Sequence, residues 1–314
     1  MPQPLHIFTW HVHGSYLYYL SHIPHRLYLP VNRERSHGYG GRTPSYPWPE
    51  RVIEVPLEEV PRLRLDCILF QAHQHYLEDQ FRILSPAQRA LPKLFLEHDP
   101  PREHPTDTRH PVRDPGTLLV HVTAFNELMW DAGPTPTRVI EHGVTIPPGV
   151  RYLGGLERGV TVINQIRKRG RRLGYDLWER FRGELPLDLI GMEWQEAGGI
   201  GEVCHRELPA FLANYRFFFN PIRYTSLGLA VCEAMATGLP IVGLATTEMA
   251  TVIPNGIAGF MDTNPRALSA PMRALLADRE MACAMGKEAR RIARQRFSID
   301  RFVDDWNRLL REIT

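Results

Sequence analysis

Short apolar runs separated by polar connections recur through the first 141 residues. CILF at residues 67–70 and LLVHV at 118–122 are apolar almost throughout, which suits strands buried on both faces of a sheet. The pattern predicts strands at His6–His11, Arg26–Pro30, Val52–Val55, Cys67–Gln71, Lys93–Glu97, Leu118–Val122 and Arg138–Glu141, with helices at Tyr76–Leu84 and Ala124–Trp130. From residue 160 the alternation resumes. Strands are expected at Val160–Asn164, Leu187–Met192, Phe217–Asn220, Pro240–Gly243 and Gly259–Asp262. Helices are expected at Arg172–Arg182, Glu207–Tyr215, Leu227–Thr237, Arg266–Ala277, Arg279–Phe297 and Ile299–Ile313, with Gly238 and Pro240 as a helix stop and strand start. Strands alternating with helices specify parallel α/β sheets.

Three segments interrupt the periodicity. Residues 142–159 carry five glycines and two prolines and are expected to link two domains. Residues 32–50 are rich in Gly, Pro and aromatics and residues 100–116 in Pro, Arg and His, a content that together favours binding loops over plain disorder. The expected architecture is therefore one α/β domain over 1–148, a second over 149–296, and a terminal helix, 297–314. Ligands in such sheets sit at the carboxyl ends of the strands, here in a cleft between the two domains.

Composition narrows this reading only slightly. A hydrophobic share of 43% in 314 residues is ordinary for globular domains, and 37 basic against 35 acidic residues make no global demand for nucleic acid. The four cysteines, Cys67, Cys204, Cys232 and Cys283, form no CxxC pair, so disulfide frameworks and zinc clusters are not expected and a reducing, cytoplasmic setting is. No charged stretch followed by a long apolar run opens the chain, so no signal peptide is expected, and no run approaches a membrane span. Peripheral contact with a membrane face stays open, and oligomeric state is not legible.

The chemistry concentrates at Phe217–Met235. A strand, FFFN, gives way to a polar loop containing Tyr224, Thr225, Ser226 and Leu227; Gly228 and Leu229 then open a helix. Backbone N–H groups and a helix start converge there, hydroxyls add donors, and Gly228 admits a ligand close to the backbone, as a diphosphate site requires. Glu233, about a turn and a half into the helix, is placed to accept from ribose hydroxyls. Alone, this motif reads more simply as an ordinary helix start with a solvated Glu.

Its surroundings decide otherwise. PIRYTSLGLAVCEAMATGLPIVG followed by EMATVIPNGIAGFMD resembles the C-terminal domain of the family-4 retaining glycosyltransferases, in register without a gap from Pro221 to Pro240. The resemblance implies the GT-B fold: α/β, two Rossmann-like domains with parallel sheets facing across a cleft. It also implies front-face attack on a nucleotide sugar, with the donor diphosphate assisting deprotonation of the acceptor. Of the family's E-x7-E pair, the second Glu maps to Glu233 and the first to Thr225, which carries no charge. NQIRKRGRR, from Asn164 to Arg172, resembles the family's basic diphosphate segment. Arg169 best matches its Lys, with Arg167 and Lys168 adjacent. In the N-terminal half, Gly14 and Ser15 fit the family's Gly-rich loop, and His98 its strand-end His contacting the donor sugar. Asp99 would be a base only in an inverting reaction. His73 and His75 also end a strand; for any lone His, a structural hydrogen bond is the simpler reading.

The expected function is transfer of a sugar from a nucleotide-diphosphate sugar to a glycan, lipid-linked or small-molecule acceptor, with retention implied by the resemblance. The donor is a substrate; no cofactor and no metal are expected, since no HExxH or Cys-paired His is present. Nucleic acid is not expected as a partner, because the basic run lacks interleaved aromatics. A degenerate domain that binds without turnover, suggested by Thr225, and a sugar-nucleotide 2-epimerase are the alternatives.

Overall fold

The computed structural model describes residues 3–314. The chain divides into two compact units: the chain up to Gly143 together with Ile299–Thr314, and Val144–Ser298. Each is built on one all-parallel sheet.

In the first unit, β1 (His6–Thr9), β2 (Arg26–Val31), β3 (Val52–Pro56), β4 (Cys67–Phe70), β5 (Lys93–Glu97), β6 (Thr117–His121) and β7 (Thr137–Val139) lie in the order β3-β2-β1-β4-β5-β6-β7. The chain winds outward from β1 to one edge, then returns to the other side of β1, so the order reverses between β1 and β4. That reversal opens a crevice at the carboxyl ends of these two strands. β4 is buried along its whole length, and Phe8, Trp10, Phe70 and Phe95 pack as one aromatic core. Helix α1 (Gly14–Leu20) follows β1, and α2 (Ala124–Met129) follows β6 with the Thr123 hydroxyl accepting from the Asn126 N–H at its start.

In the second unit, β8 (Leu156–Val162), β9 (Leu187–Ile190), β10 (Tyr215–Asn220), β11 (Ile241–Leu244) and β12 (Gly259–Asp262) take the order β12-β11-β10-β8-β9. Here the reversal falls between β8 and β10. Its longer helices are α3 (Tyr175–Glu184), α4 (Leu229–Thr237), α5 (Ser269–Ala277) and α6 (Arg279–Arg296). Trp178, Phe181, Phe217 and Phe219 sit in its core at 1% exposure or less. The last helix, α7 (Ile299–Ile313), belongs to the first unit: Trp306 is fully buried and donates its indole N–H to the Tyr16 hydroxyl at 3.1 Å. Gly143 permits this, because a Cβ there would lie 2.2 Å from Cβ of Phe302.

The sheet positions follow the apolar pattern, while several boundaries differ from it. The stretch expected as a linker already contains the start of β8 at Leu156. The helix expected over Glu207–Tyr215 is only Leu208–Leu212; the Asn214 amide donates to the carbonyls of Ala210 and Phe211 and ends it, and Tyr215 opens β10. The helix expected over Arg172–Arg182 is broken by Gly174, whose φ of +80° leaves the helical region. The expected helix Tyr76–Leu84 is a wider π-type turn, His75–Asp79, running into Gln80–Ile83. The irregular segment 32–50 forms no strand but is held in place: Arg35 pairs bidentately with Glu54, and Tyr46 stacks on Tyr18.

Candidate functional site

In the second unit, the loops after β8 and β10 flank the point where strand order reverses, and the fold ties them together. Backbone N–H groups of Arg223 and Tyr224 donate to the Arg172 carbonyl at 3.0 and 3.4 Å. The Arg223 guanidinium donates to the Arg171 carbonyl and forks onto both oxygens of Asp176 at 2.6 and 2.7 Å. Asp176 is thereby held below the usual carboxylate range: burial opposes this, and Arg223 and Arg171 outweigh it. Gly174 sits flush against Pro221; a Cβ would meet its carbonyl oxygen at 2.2 Å.

Of the residues predicted on these loops, Tyr224 meets the basic segment, at Arg172. Asn164 accepts the Met192 N–H at 2.9 Å through its side-chain oxygen, fixing the turn after β9. Arg167 and Lys168 are exposed and Arg169 is half-buried in the short helix Ile166–Arg169; one Arg167 N–H donates to the Glu196 carbonyl. Tyr224 and Thr225 are half-buried, Ser226 and Leu227 are buried, and Gly228 precedes Leu229 as the N-cap of α4. Gly228 has an ordinary φ of −71°, and nothing lies within 4 Å of where its Cβ would stand. The backbone does not require glycine here, so the open space itself is the feature. Glu233 is 4% exposed and accepts from Nε2 of His205 at 3.1 Å. His205, the single histidine of the second half, escaped the sequence reading because nothing in its spacing ties it to Glu233.

In the first unit, the loops after β1, β4 and β5 line a cavity of about 670 Å³ that contains His13, His73, Glu97, His98, Asp99 and Trp130. Gly14 and Ser15 begin α1, where the Ser15 hydroxyl is 2.9 Å from the Tyr46 hydroxyl. His98 donates from Nε2 to the Gln71 amide oxygen at 3.1 Å; the Gln71 NH₂ donates to Thr9 and the Trp10 carbonyl, which fixes the direction of the chain. Burial, then the neighbouring His13 and His142, hold the His98 imidazole well below its usual value, so it is neutral. Asp99 pairs with Arg102 at 2.5 Å, leaving a different acid as the buried carboxylate of the cavity.

That acid is Glu97. It ends β5 and accepts from the Asp99 N–H at 2.9 Å, from His110 Nε2 at 3.2 Å and from His73 Nε2 at 3.3 Å. Burial pushes its carboxyl up, but these three donors overcome burial and hold it at about 2. Among the described residues, His73, Glu97 and His110 are close enough to hold a metal ion. The hydrogen bonds argue for another use: His110 Nδ1 accepts the Val112 N–H at 3.0 Å, so its proton is on Nε2, the atom a metal would need bare. Glu97 was missed in the sequence, where its one signal was an acid ending an otherwise apolar strand. His75 is structural: it is 2% exposed and stacks on Trp10 at 4.7 Å.

Two parallel-sheet Rossmann-like units with these strand orders define the GT-B fold. Residues 195–278, spanning the α4 region, match the family model described as glycosyl transferases group 1. Among solved structures, sucrose-phosphate synthase from Thermosynechococcus elongatus is similar over 99% of both chains at 16% identity and a TM-score of 0.70. HepE of Anabaena, solved with UDP and glucose, is similar over 98% of this chain and 99% of its own, at 13% identity and a TM-score of 0.72. TarM of S. aureus is similar over 81% of this chain at 13% identity and a TM-score of 0.63, and the chain spans 57% of that protein's length. No curated protein matches in sequence.

Proposed function

We propose that the protein transfers a sugar from a nucleotide-diphosphate sugar to a hydroxyl of a glycan, lipid-linked or small-molecule acceptor, with retention of the anomeric configuration. The observation that carries this reading is the group 1 match over 195–278, which includes the loop and helix joined to the basic segment at the reversal point of the second sheet. In this reading the N–H groups opening α4 and the cations of 167–169 take the donor diphosphate and stabilise the charge that develops as it leaves. Glu233, oriented by His205, accepts from the ribose hydroxyls. The open face of Gly228 lets the diphosphate lie against the backbone. Thr225 gives one neutral hydrogen bond where family-4 enzymes have an acid, which favours a donor sugar held differently. The first unit's cavity takes the acceptor. These cations and backbone groups supply the neutralisation without a metal, and the assignment to family 4 rests on the Pro221–Pro240 register.

Incubation with a panel of UDP-, GDP- and dTDP-sugars tests the reading. Nucleotide release with at least one donor, and an anomer unchanged by NMR, is expected. Tight binding with no turnover would replace transfer by a binding function. Interconversion of the donor sugar would replace it by epimerisation.

A further inference from the structure

The irregular segment after β2 decides how much of the first unit can meet a ligand. The Gly38 carbonyl accepts the His11 N–H at 3.3 Å, just past β1. A Cβ on Gly38 would stand 2.5 Å from Nε2 of His75, just past β4. Tyr39 donates its hydroxyl to Asp79 at 2.7 Å, and the ring of Tyr46 covers Gly14, where a Cβ would lie 2.9 Å from its Cε2. The crevice where the strand order reverses, the usual ligand position in such a sheet, is therefore filled by the chain itself. What stays open beside it is the cavity of about 670 Å³ that holds His73, Glu97 and Trp130.

Trp130 donates its indole N–H to the Asp99 carbonyl at 2.8 Å, so what it gives the cavity is an apolar ring. His73, whose side chain is 39% exposed, donates through Nε2 to Glu97, and Nδ1 is its remaining polar atom. Glu97 is an ionised carboxylate, held at about 2, and Asp99 and Glu103 add acids to the lining. The two guanidiniums of the lining lie against acids, Arg102 on Asp99 at 2.5 Å and Arg109 on Asp131 at 3.8 Å. An alkyl chain would leave the carboxylate and the imidazole without partners, and an anion would meet three acids. A pyranose meets both demands: C–H groups on one face for the indole, and neutral hydroxyls on its rim for His73 and the acids.

We propose that the acceptor end entering the first unit is an uncharged sugar ring, selected by the face of Trp130. The inference deepens the transfer reading above and rests on it only for calling this sugar the acceptor; the binding concerns the first unit by itself. Trp130 takes the C–H face and His73 takes a hydroxyl. Glu97, Asp99 and Glu103 turn away a ring that carries a phosphate.

The test is ligand-detected NMR on the full chain without donor, using the methyl glycosides of glucose, galactose, mannose and N-acetylglucosamine. At least one is expected to bind, with its C–H face receiving the strongest saturation from the protein. The 6-phosphate of the same sugar should bind roughly tenfold more weakly. Trp130→Ala should weaken the sugar roughly tenfold and leave nucleotide affinity unchanged in calorimetry. Trp130→Phe, which keeps a ring and loses the N–H, should bind the sugar within about threefold of wild type. A loss in Trp130→Phe as large as in Trp130→Ala would make the Asp99 hydrogen bond the role of Trp130 and overturns the proposal. Binding of none of the glycosides, or tighter binding of the phosphate, also overturns it and leaves transfer intact. A sugar bound through Trp130 by a chain that turns over no donor supports the sugar site and overturns the transfer reading.

Discussion

At the scale of single residues, the first unit stores several buried imidazoles that the fold keeps neutral. His121 is the clearest. It is fully buried at the end of β6, neither ring nitrogen has a hydrogen-bond partner among the described residues, and burial lowers it to about 4 against a smaller opposing effect of Glu97. Its folded value lies below its unfolded one, so the unfolded chain binds the extra proton. Stability is therefore full above about pH 6.5 and falls as pH drops toward 4, by up to ~3 kcal/mol at the lower end. His121→Leu should flatten that acid limb in denaturant melts run from pH 7 to 4. An unchanged slope would show that His121 does not titrate in this way. Little of this was legible beforehand: a histidine inside the apolar run LLVHV reads as a strand residue, and its isolation depends on what β5 and α2 place around it. Glu97 was hidden for the same reason. Its partners His73 and His110 lie 24 and 13 residues away, and no local spacing relates them.

At the scale of elements, the apolar runs located the sheet well, because a strand buried on both faces has few ways to satisfy its backbone other than pairing. Chain breaks decided by a single contact were less legible. Gly174 looks like an ordinary glycine in a helical pattern; only the approach of Pro221 shows why the chain turns there. The same contact couples the basic segment to the loop before α4. Gly174→Ala should cost ~1–3 kcal/mol, since it combines a left-handed backbone with a clash against a carbonyl oxygen. It should also weaken nucleotide binding by displacing the 221–228 loop. Calorimetry and a nucleotide titration on the same variant check both parts; normal stability with normal affinity would mean the two loops are not mechanically linked. The Arg223–Asp176 fork, likewise invisible in the motif, joins the 221–228 loop to the first turn of α3.

At the scale of the whole molecule, the GT-B fold was legible because a 20-residue stretch, Pro221–Pro240, keeps its register, and two rounds of strand–helix alternation leave little room for another fold class. The acceptor was not legible: the loops read as binding segments, 32–50 and 100–116, have no periodicity. The structure shows part of the first to be packing, with Gly38 closed against His75 and Arg35 tied to Glu54. No helix among the described residues is long and apolar enough to cross a membrane. The central proposal is that the α4 region holds the nucleotide end of a donor. The most direct test is calorimetric titration of UDP, GDP and dTDP into the wild type and into Glu233→Ala. A carboxylate accepting from ribose hydroxyls contributes about 1.5–3 kcal/mol, so the preferred nucleotide should bind the variant roughly 10- to 100-fold more weakly. Equal affinity for both proteins would contradict the account.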